Sequence, residues 1–382
     1  MKNISRLLFI SRAFPPILGG IENQNRGLAE ALPEWIPTTC LVNRYGKRAL
    51  LWFLPWAALV LVLQARRYPY VLLGDGVLAP LGSLVKLINR GAHVFSVVHG
   101  LDITFANRPG IASWIYRRIN LPALRRLDGV IAVGRATAAA AAAAGITPDK
   151  IHFIPNGIFS GEFTAPPNRL ALAKLLGIDL IDRHVVLIVG RYVERKGLTW
   201  FINHVLPGLP ESVILVAVGA APAITALGDP GYLAECKRAA AASGLAQRIL
   251  LFTDMPQSDL VTCLGAADLV VMPNIAVPGT IEGFGLTALE AGAMGRTILA
   301  ADLEGLRDAI ADGKNGVLLP SGDAAAWQYA VRHWLGSSAA RDEFGQRAAE
   351  YVHRHCSWRH IAQRYAKLLY SVAHSERGRT ES

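Results

Sequence analysis

The chain has 382 residues, which is more than one hydrophobic core usually serves, so its length favours two domains. Apolar residues make up 52% of it and charged residues 18%, a balance that excludes an intrinsically disordered protein. The net charge of +10 is concentrated in residues 1–170, which contain 19 Lys and Arg against 8 Asp and Glu, whereas the remainder contains 20 against 21. Such a field attracts anionic lipid head groups or nucleic acid. We expect no nucleic-acid partner, since no basic stripe interleaved with aromatic residues is present.

The cysteines and the N-terminal residues indicate a cellular compartment. The four cysteines are scattered, without the spacing of a metal knuckle or a disulfide scaffold, and this favours a reducing environment. The first apolar run, Leu7 to Ile10, is too short for the core of a signal peptide, and Phe14-Pro15-Pro16 replaces a small-residue cleavage site. We therefore expect a cytoplasmic protein.

Short apolar runs rich in β-formers alternate with helical stretches, which predicts an α/β protein with two doubly wound parallel sheets. The predicted strands of the first half are Leu7–Ser11, Thr38–Val42, Tyr70–Gly74, His93–His99, Gly129–Val133 and Ile151–Pro155. Those of the second half are His184–Gly190, Ser212–Gly219, Arg248–Phe252, Asp268–Met272, Thr297–Ala301 and Gly316–Leu319. Turn formers without periodicity at Phe159 to Arg169 predict a linker, with domains at 1–165 and 166–356. Ligand-binding groups gather at the carboxyl ends of strands in such sheets, so the residues that follow each strand are the candidates for a site.

Two loops of the first half carry weak signals. Gly19 and Gly20 precede a helix that we begin near Ile21, and paired glycines permit close approach of backbone to a ligand, although such a pair is often only a turn. His99 ends the fourth predicted strand, where an imidazole could contact a sugar or an acceptor, although a lone His is more often structural.

Residues 49–63 form an apolar run with two Trp residues and basic flanks. Fifteen residues are fewer than the roughly 18–20 that span a bilayer. The run could lie in a membrane interface as a helix, or it could be a buried core helix, and the sequence leaves both interpretations open.

Two cations follow the first predicted strand of the second half. Arg191 comes directly after that strand and Lys196 stands five residues later. Cations at a strand end can neutralise a diphosphate and stabilise it as a leaving group, so both are candidates for that role.

The stretch Glu282 to Glu290 is the most informative in the chain. Gly283 and Gly285 allow close backbone approach, and strong helix formers from Leu286 onward predict a helix beginning near Gly285, whose amides form an anion site. If the whole stretch were helical, its two carboxylates would be about 12 Å apart, close to the reach from a donor sugar to a ribose. A Glu near a helix start is also a common dipole-stabilising residue.

No two aspartates are separated by a single residue, so a metal-clamped diphosphate site of that type lacks its usual ligands. We therefore predict no metal and no cofactor, with the charge met by Arg191, Lys196 and helix amides.

These elements, in this order, resemble the retaining GT-B glycosyltransferases of family four, also called group 1. The motifs that carry the resemblance are GGIE at Gly19–Glu22, HG at His99, FIPNG at Phe153–Gly157, GRYVERKG at Gly190–Gly197, EGFGLTALEAGA at Glu282–Ala293, DGKNGVLLPSGD at Asp312–Asp323 and SWRHIAQRYAKLLY from Ser357. Glu304-Gly305 departs from the family, whose members often have paired glycines there. The resemblance implies two Rossmann-like domains facing across a cleft, with a C-terminal helix, about 357–382, crossing back to the first domain.

The resemblance also implies roles for the candidate residues. Arg191 and Lys196 would hold the donor diphosphate, Glu290 the ribose and Glu282 the sugar near the reacting carbon, with His99 close by. The backbone of Gly19, Gly20 and the stretch Gly283, Phe284, Gly285 and Leu286 would line the donor.

The predicted function follows from that resemblance together with the charge. We expect an enzyme that transfers a hexose-type sugar, with retention, from a UDP- or GDP-sugar to a lipid-linked or membrane-surface glycan. It would work as a peripheral protein at the inner face of the cell membrane, in contact with anionic lipid. The alternatives are a membrane-docked binding protein that has lost catalysis, or another GT-B enzyme such as a phosphorylase or sugar epimerase.

Overall fold

A computed structural model describes the backbone of residues 6–16, 19–107, 109–163, 168–220 and 231–380. Contacts divide the chain into unit 1, Met1–Ile158 with Ser357–Ser382, and unit 2, Phe159–Cys356. By sequence, unit 1 contains 23 Lys and Arg against 9 Asp and Glu, whereas unit 2 contains 16 against 20. The predicted domain boundary at 165/166, with part of the predicted linker, falls among residues 164–167, outside the described part of the chain.

Unit 1 is a six-stranded parallel sheet covered by helices. Its strands are β1 Leu7–Ser11, β2 Thr38–Val42, β3 Tyr70–Leu73, β4 His93–Val98, β5 Gly129–Ala132 and β6 Ile151–Phe153. Its helices are α1 Gly20–Ala31, α2 Leu50–Gln64, α3 Ala79–Ile88, α4 Leu101–Thr104, α5 Ile111–Arg126, α6 Arg135–Ala143 and, at the C-terminal end, α15 Trp358–Thr380. The strand order β2-β1-β3-β4-β5-β6 places the carboxyl ends of β1, β3 and β4 side by side.

Two layers of helix cover this sheet. Right-handed crossovers put α2, α3 and α5 on one face, where Leu61, Val85 and Leu124 enter a common core, and put α1 on the other. Helix α15 packs on α1, because the Trp358 ring fills the space beside Gly27. The predicted return of the C-terminal helix to the first domain is confirmed by this packing.

Helix α2 contains most of residues 49–63 and has one buried and one exposed face. Phe53, Ala57, Leu61 and Ala65 form a buried stripe at four-residue spacing that packs into the core of unit 1. The opposite face is exposed and apolar, and Trp52 is 81% exposed there. With the 3₁₀ turn that follows, Leu50–Arg67 is the one helical stretch among the described residues with the length and composition of a membrane span. Its buried stripe makes it a core element on one side only.

Unit 2 repeats this architecture. Its strands are β7 His184–Val189, β8 Val213–Gly219, β9 Ile249–Thr253, β10 Leu269–Met272, β11 Ile298–Ala301 and β12 Val317–Leu319. Its helices are α7 Arg169–Leu176, α8 Leu198–Trp200, α9 Tyr232–Ala242, α10 Gln257–Ala266, α11 Leu286–Ala293, α12 Leu306–Ala309, α13 Ala324–Leu335 and α14 Ser338–His355. The strand order β12-β11-β10-β7-β8-β9 makes β7, β10 and β11 neighbours, so the residues after these three strands meet at one edge.

All twelve predicted strands are confirmed, and each differs from its predicted bounds by at most a few residues. Every ladder is parallel, as the uninterrupted apolar runs indicate. The strands therefore follow from local sequence, whereas their order in each sheet comes from the fold.

Candidate functional site

The site in unit 2 is built where β7 and β10 end side by side. A tight turn after β7 carries Lys196, and the loop after β10 begins at Pro273. Gly197 lies in the left-handed region, with a φ of 69°, and its Cα faces the Pro273 carbonyl oxygen so closely that no side chain fits. This close approach brings Lys196 beside the loop that carries Glu282.

Glu282 is the centre of a buried polar cluster. Its Oε2 lies 2.6 Å from Lys196 Nζ and 3.6 Å from Arg195 Nε, and it accepts a hydrogen bond from Asn274 Nδ2 at 3.0 Å. Glu282 is 8% exposed and Asn274 is 2% exposed, so water does not screen these contacts strongly. Three side chains therefore determine the position of one carboxylate.

The protonation states of this cluster follow from its charges. Burial alone would raise the pKa of Glu282, but the charges of Lys196 and Arg195 and the hydrogen bonds lower it to about 2. Burial lowers the pKa of Lys196, with Glu282 opposing that change and Arg195 adding to it. At neutral pH we expect the Glu282 carboxylate to be ionised.

Part of the cluster has no internal hydrogen-bond partner. Arg195 Nε and Asn274 Oδ1 are buried without one among the described residues. Buried polar atoms are usually satisfied, so these two indicate polar groups that a ligand or water would complete. Arg191, two residues after the end of β7, lines a small pocket together with Lys196 and Tyr232.

The loop after Glu282 leads into the start of α11. Gly285 has a φ of 86° and lies against Leu306 and Met272, which explains why glycine is needed there. Phe284 is buried beneath the loop and Leu286 begins the helix, with no side-chain cap on its first turn. The Ala288 N–H donates to the Gly285 carbonyl oxygen, and the positive end of the helix dipole at Leu286 suits an anion.

Glu290 lies one turn into α11 and is partly buried. Burial, followed by the charge of Glu162, raises the pKa of Glu290 to about 7, against the opposing charge of Lys196. Residues 282–285, including Gly283, are not helical, and α11 begins at Leu286, which confirms the predicted helix start near Gly285. The separation of about 12 Å holds only for a stretch that is helical throughout, so it does not apply to Glu282 and Glu290.

The predicted residues of unit 1 occupy two strand ends. Gly19 caps α1, Gly20 begins it, and the Glu22 carboxylate lies close to the Gly19 Cα. His99 Nε2 lies 3.1 Å from the Gly74 carbonyl oxygen, and its backbone N–H donates to Asp102 at 3.1 Å. The imidazole therefore has a local partner, and contact of these residues with a ligand stays a prediction.

Sequence reasoning missed several polar residues at the same edges. In unit 2 these are Arg195, Asn274 and Glu304, and each follows one of the three neighbouring strands. In unit 1 they are Arg12, which pairs with buried Asp75 at 2.9 Å, and Asp102. The rule that a polar residue soon after a strand is a candidate for the site selected Arg191. The same rule could have found Asn274 and Asp75. Among the described residues, no group of three or more His, Cys, Asp or Glu could hold a metal ion.

Comparison with known proteins identifies the family. Residues 18–159 match the model "Glycosyltransferase Family 4", and residues 180–351 match "Glycosyl transferases group 1". A D-inositol 3-phosphate glycosyltransferase of Xylanimonas cellulosilytica is 35% identical over 208 residues, which is 53% of this chain and 47% of that protein. The chain thus spans about half the length of that relative.

One further relative and one solved structure are matched over more of their length. The GDP-mannose-dependent alpha-(1-6)-phosphatidylinositol monomannoside mannosyltransferase of Mycolicibacterium smegmatis is 28% identical over 77% of this chain and 75% of its own. The structure of Anabaena Alr3699/HepE in complex with UDP and glucose superposes with a TM-score of 0.72 at 22% identity, covering 96% of this chain and 99% of that one. With two parallel six-stranded sheets, a returning C-terminal helix and both family models matched, the chain belongs to the family four, group 1 glycosyltransferases and has the GT-B fold.

Proposed function

We propose that this protein is a glycosyltransferase that moves a hexose from a UDP- or GDP-sugar to a lipid-linked or membrane-surface glycan. The reaction would retain the anomeric configuration, need no metal ion, and occur at the cytoplasmic face of the cell membrane. The observation that carries the proposal is the buried cluster of Glu282, Lys196, Arg195 and Asn274 beside the uncapped start of α11. Family membership and the names of the relatives support the same reaction class.

The cations would act on the leaving group. Lys196 uses one of its three N–H groups on Glu282, and the other two, with Arg191 and Arg195, can bind phosphate oxygens. The amides at Leu286 add partial positive charge at the same edge. Fixed cations of this kind stabilise the charge that develops on a departing diphosphate, which supports a reaction without a metal ion.

Glu282 and Glu290 would bind hydroxyl groups of the donor. The carboxylate of Glu282 is held by three side chains, which suits a group that orients a sugar rather than one that attacks it. In the proposed step the bond from C1 to the diphosphate oxygen breaks, and the acceptor hydroxyl oxygen bonds to C1 on the same face. The hydroxyl proton passes to the leaving phosphate, and a nucleoside diphosphate is released. Glu290, one turn into α11, would accept hydrogen bonds from the ribose.

A donor screen tests this proposal. UDP-glucose, UDP-galactose, UDP-N-acetylglucosamine and GDP-mannose are added to the protein with and without EDTA, and the melting temperature is measured. We expect at least one donor to raise it equally under both conditions. We expect Lys196→Gln to weaken the binding of that donor about tenfold or more. Lys237→Gln, a change at an exposed residue of α9, should leave the binding unaltered.

Product analysis then tests the reaction itself. The stabilising donor is incubated with a membrane lipid extract, and mass spectrometry and NMR identify the product and its anomeric configuration. A glycolipid of retained configuration is expected. Failure of every donor to bind would overturn the proposal, and turnover of donor without any acceptor would indicate an epimerase instead.

The membrane part of the proposal rests on one surface of unit 1, which we call the apolar-basic face. It comprises the exposed apolar residues of α2, α3 and α5: Leu51, Trp52, Trp56, Leu59, Val62, Leu63, Leu87, Ile111, Trp114, Ile115 and Ile119. These three helices cover the same face of the sheet and contain no Asp or Glu. Exposed Arg48, Arg66, Arg67, Arg117 and Arg118 flank or interrupt the apolar residues.

An anionic bilayer is the partner that this composition fits. Trp and aliphatic side chains insert at the level of the head groups while arginines bind lipid phosphates, and exposed apolar patches of this kind are rare on proteins without a partner. The buried stripe of α2 keeps that helix attached to unit 1, so the face would lie on the membrane rather than span it. Unit 1, with 23 basic residues against 9 acidic ones, is also the half that an anionic surface attracts.

Vesicle sedimentation tests the membrane contact. We expect binding to vesicles with 30% phosphatidylglycerol, weaker binding as salt rises, and little binding to pure phosphatidylcholine. Trp52→Glu and Trp114→Glu should each reduce binding, whereas Leu170→Glu, at a residue of unit 2 that is 84% exposed, should not. Equal sedimentation with neutral and anionic vesicles would contradict the electrostatic part.

A further inference from the structure

Glu304 has an unusual backbone conformation beside the donor site. It lies shortly after β11 and has a φ of 46°, in the left-handed region that glycine adopts without strain. Among the described residues only Asp182 and Asp254 share this feature without being glycine. A residue that persists in such a conformation needs compensation from its surroundings.

The compensation lies in the contacts of its side chain. Glu304 Oε2 accepts a hydrogen bond from the Glu282 backbone N–H at 2.5 Å. The next residue, Gly305, donates its N–H to the Glu282 carbonyl oxygen at 3.1 Å. Two consecutive residues therefore bind both backbone polar groups of Glu282.

Glu282 needs this external support because of where it lies. Residues 273–285 connect β10 to α11 without any helix or strand, so no regular hydrogen-bond ladder holds the Glu282 backbone. Its side chain must nevertheless meet Lys196 and Asn274 together. A small rotation of the Glu282 backbone would move its carboxylate away from both.

The charge balance also depends on Glu304. Burial raises the pKa of Glu304, and so does the nearby charge of Glu282, whereas the hydrogen bond from the Glu282 amide and the charge of Arg195 lower it. Two carboxylates lie close together in this corner, with Lys196 and Arg195 as the neighbouring cations. The strained backbone of Glu304 and its repulsion by the Glu282 carboxylate both lower the stability of the folded protein.

We propose that Glu304 is a positioning residue, which holds the Glu282 backbone so that the Glu282 carboxylate meets the donor sugar. The expected effect on activity rests on the proposed function, whereas the expected effect on the Glu282 backbone does not. Glu304 acts through one hydrogen bond, which its carboxylate accepts from the Glu282 backbone N–H, and its own conformation is less favourable than that of a glycine at the same position. Stability and activity should therefore respond in opposite directions when Glu304 is replaced by glycine.

Three variants test the proposal: Glu304→Gly, Glu304→Gln and, as the control, Asp182→Gly. Asp182 is exposed, has a φ of 53° and precedes β7 at the opposite end of the strand from Lys196. Melting temperature, kcat and KM for the donor, and hydrogen exchange at the Glu282 amide are measured for each protein. The exchange measurement needs no donor.

The expected pattern separates positioning from a general structural role. Glu304→Gly should melt at or above the temperature of the natural protein, exchange the Glu282 amide at least about tenfold faster, and lose about tenfold in kcat with a smaller change in KM. Glu304→Gln keeps an acceptor oxygen and should recover both the protection and most of the activity. Asp182→Gly should match the natural protein in exchange and kcat.

Other results for the Glu304 variants would overturn either the inference or the proposed function. Unchanged exchange at the Glu282 amide in Glu304→Gly, or unfolding of that variant, would overturn the inference. Equal loss of activity in Glu304→Gln would also overturn it, because the charge rather than the hydrogen bond would then matter. Faster exchange in Glu304→Gly, in a protein that binds no nucleotide sugar, would uphold the positioning and overturn the proposed function instead.

Discussion

Lys196 Nζ lies 2.6 Å from Glu282 Oε2, although the two residues belong to loops that follow different strands. Both side chains are largely buried, at 14% and 10% exposure, so the pair interacts in a region of low dielectric constant. In the free protein the carboxylate thus compensates the cation that we propose for the donor diphosphate. Removal of either partner would leave the other buried in unit 2 without its counter-ion.

Replacing Lys196 by Met would leave the Glu282 carboxyl group buried without its nearest cation. We expect the free energy of unfolding to fall by about 3 kcal/mol, since removal of one partner of a buried pair leaves an uncompensated charge. Urea denaturation measures the change, with exposed Lys237→Met as the control. The double variant Lys196→Met/Glu282→Gln should recover at least half of the loss. An effect of Lys196→Met no larger than that of the control would contradict this expectation.

Glu290 should make stability depend on pH. Its folded pKa of about 7 lies above the usual value near 4.5, so its contribution is complete below 4.5 and is lost as pH rises through 7. Compared with Glu290→Gln, which does not titrate, the natural protein should lose about 2 kcal/mol of unfolding free energy between pH 5 and pH 8. Glu162 and Lys196 are the charged neighbours that act on Glu290. Urea denaturation at four pH values checks this, and a difference that stays constant with pH would contradict it.

Gly305→Ala should disturb the loop of Glu282 by steric overlap alone. Gly305 has a φ of −66°, which alanine adopts readily, but a Cβ there would lie 2.5 Å from the carbonyl oxygens of Glu282 and Gly283. Backbone atoms cannot rotate away, so we expect a loss of about 1–3 kcal/mol and weaker stabilisation by the donor. Gly336→Ala is the matched control, with a φ of −68° and its nearest atoms at 3.4 Å. Equal melting temperatures for the two variants would contradict the overlap.

Trp358→Ala should loosen unit 1 while leaving unit 2 unchanged. The Trp358 ring is 4% exposed and lies against Gly27 and Gly157, where a Cβ would overlap with it. Truncation of a buried Trp costs about 3–5 kcal/mol. Hydrogen exchange should therefore accelerate in α1 and β1 but not in β7 or β10. Arg359→Ala, which removes an exposed ion pair with Glu34, is the control and should lower the free energy of unfolding by less than about 1 kcal/mol. Similar hydrogen exchange in both variants would argue against the docking of α15 through Trp358.

The sequence was sufficient to locate the strands, because each buried strand of a parallel sheet is an apolar run bounded by turn formers. Leu7–Ser11 and His184–Val189 show this, since nearly all their side chains are buried and no alternation is needed. The rule that sites lie at strand ends also identified Arg191, Lys196 and Glu282 as candidates. Local pattern was enough for these predictions, because burial and turn chemistry act over a few residues.

Helix α2 marks the limit of that reasoning. Its composition is apolar all round, so no periodicity in the residues distinguishes the buried side from the exposed one. Only the packing on the sheet shows that Phe53 and Leu61 face the core and that Trp52 does not.

The contacts of Glu282 were likewise decided by the tertiary structure. Which strands are neighbours depends on the packing of whole crossover units. The order β11-β10-β7 brings Asn274 and Lys196 to the Glu282 carboxylate and Glu304 to the Glu282 backbone N–H. The sequence by itself therefore determined the elements and the chemical types at their ends, since these depend on local propensity. The partners of each side chain depend on contacts between distant segments, which exist only once the sheet of that unit has formed.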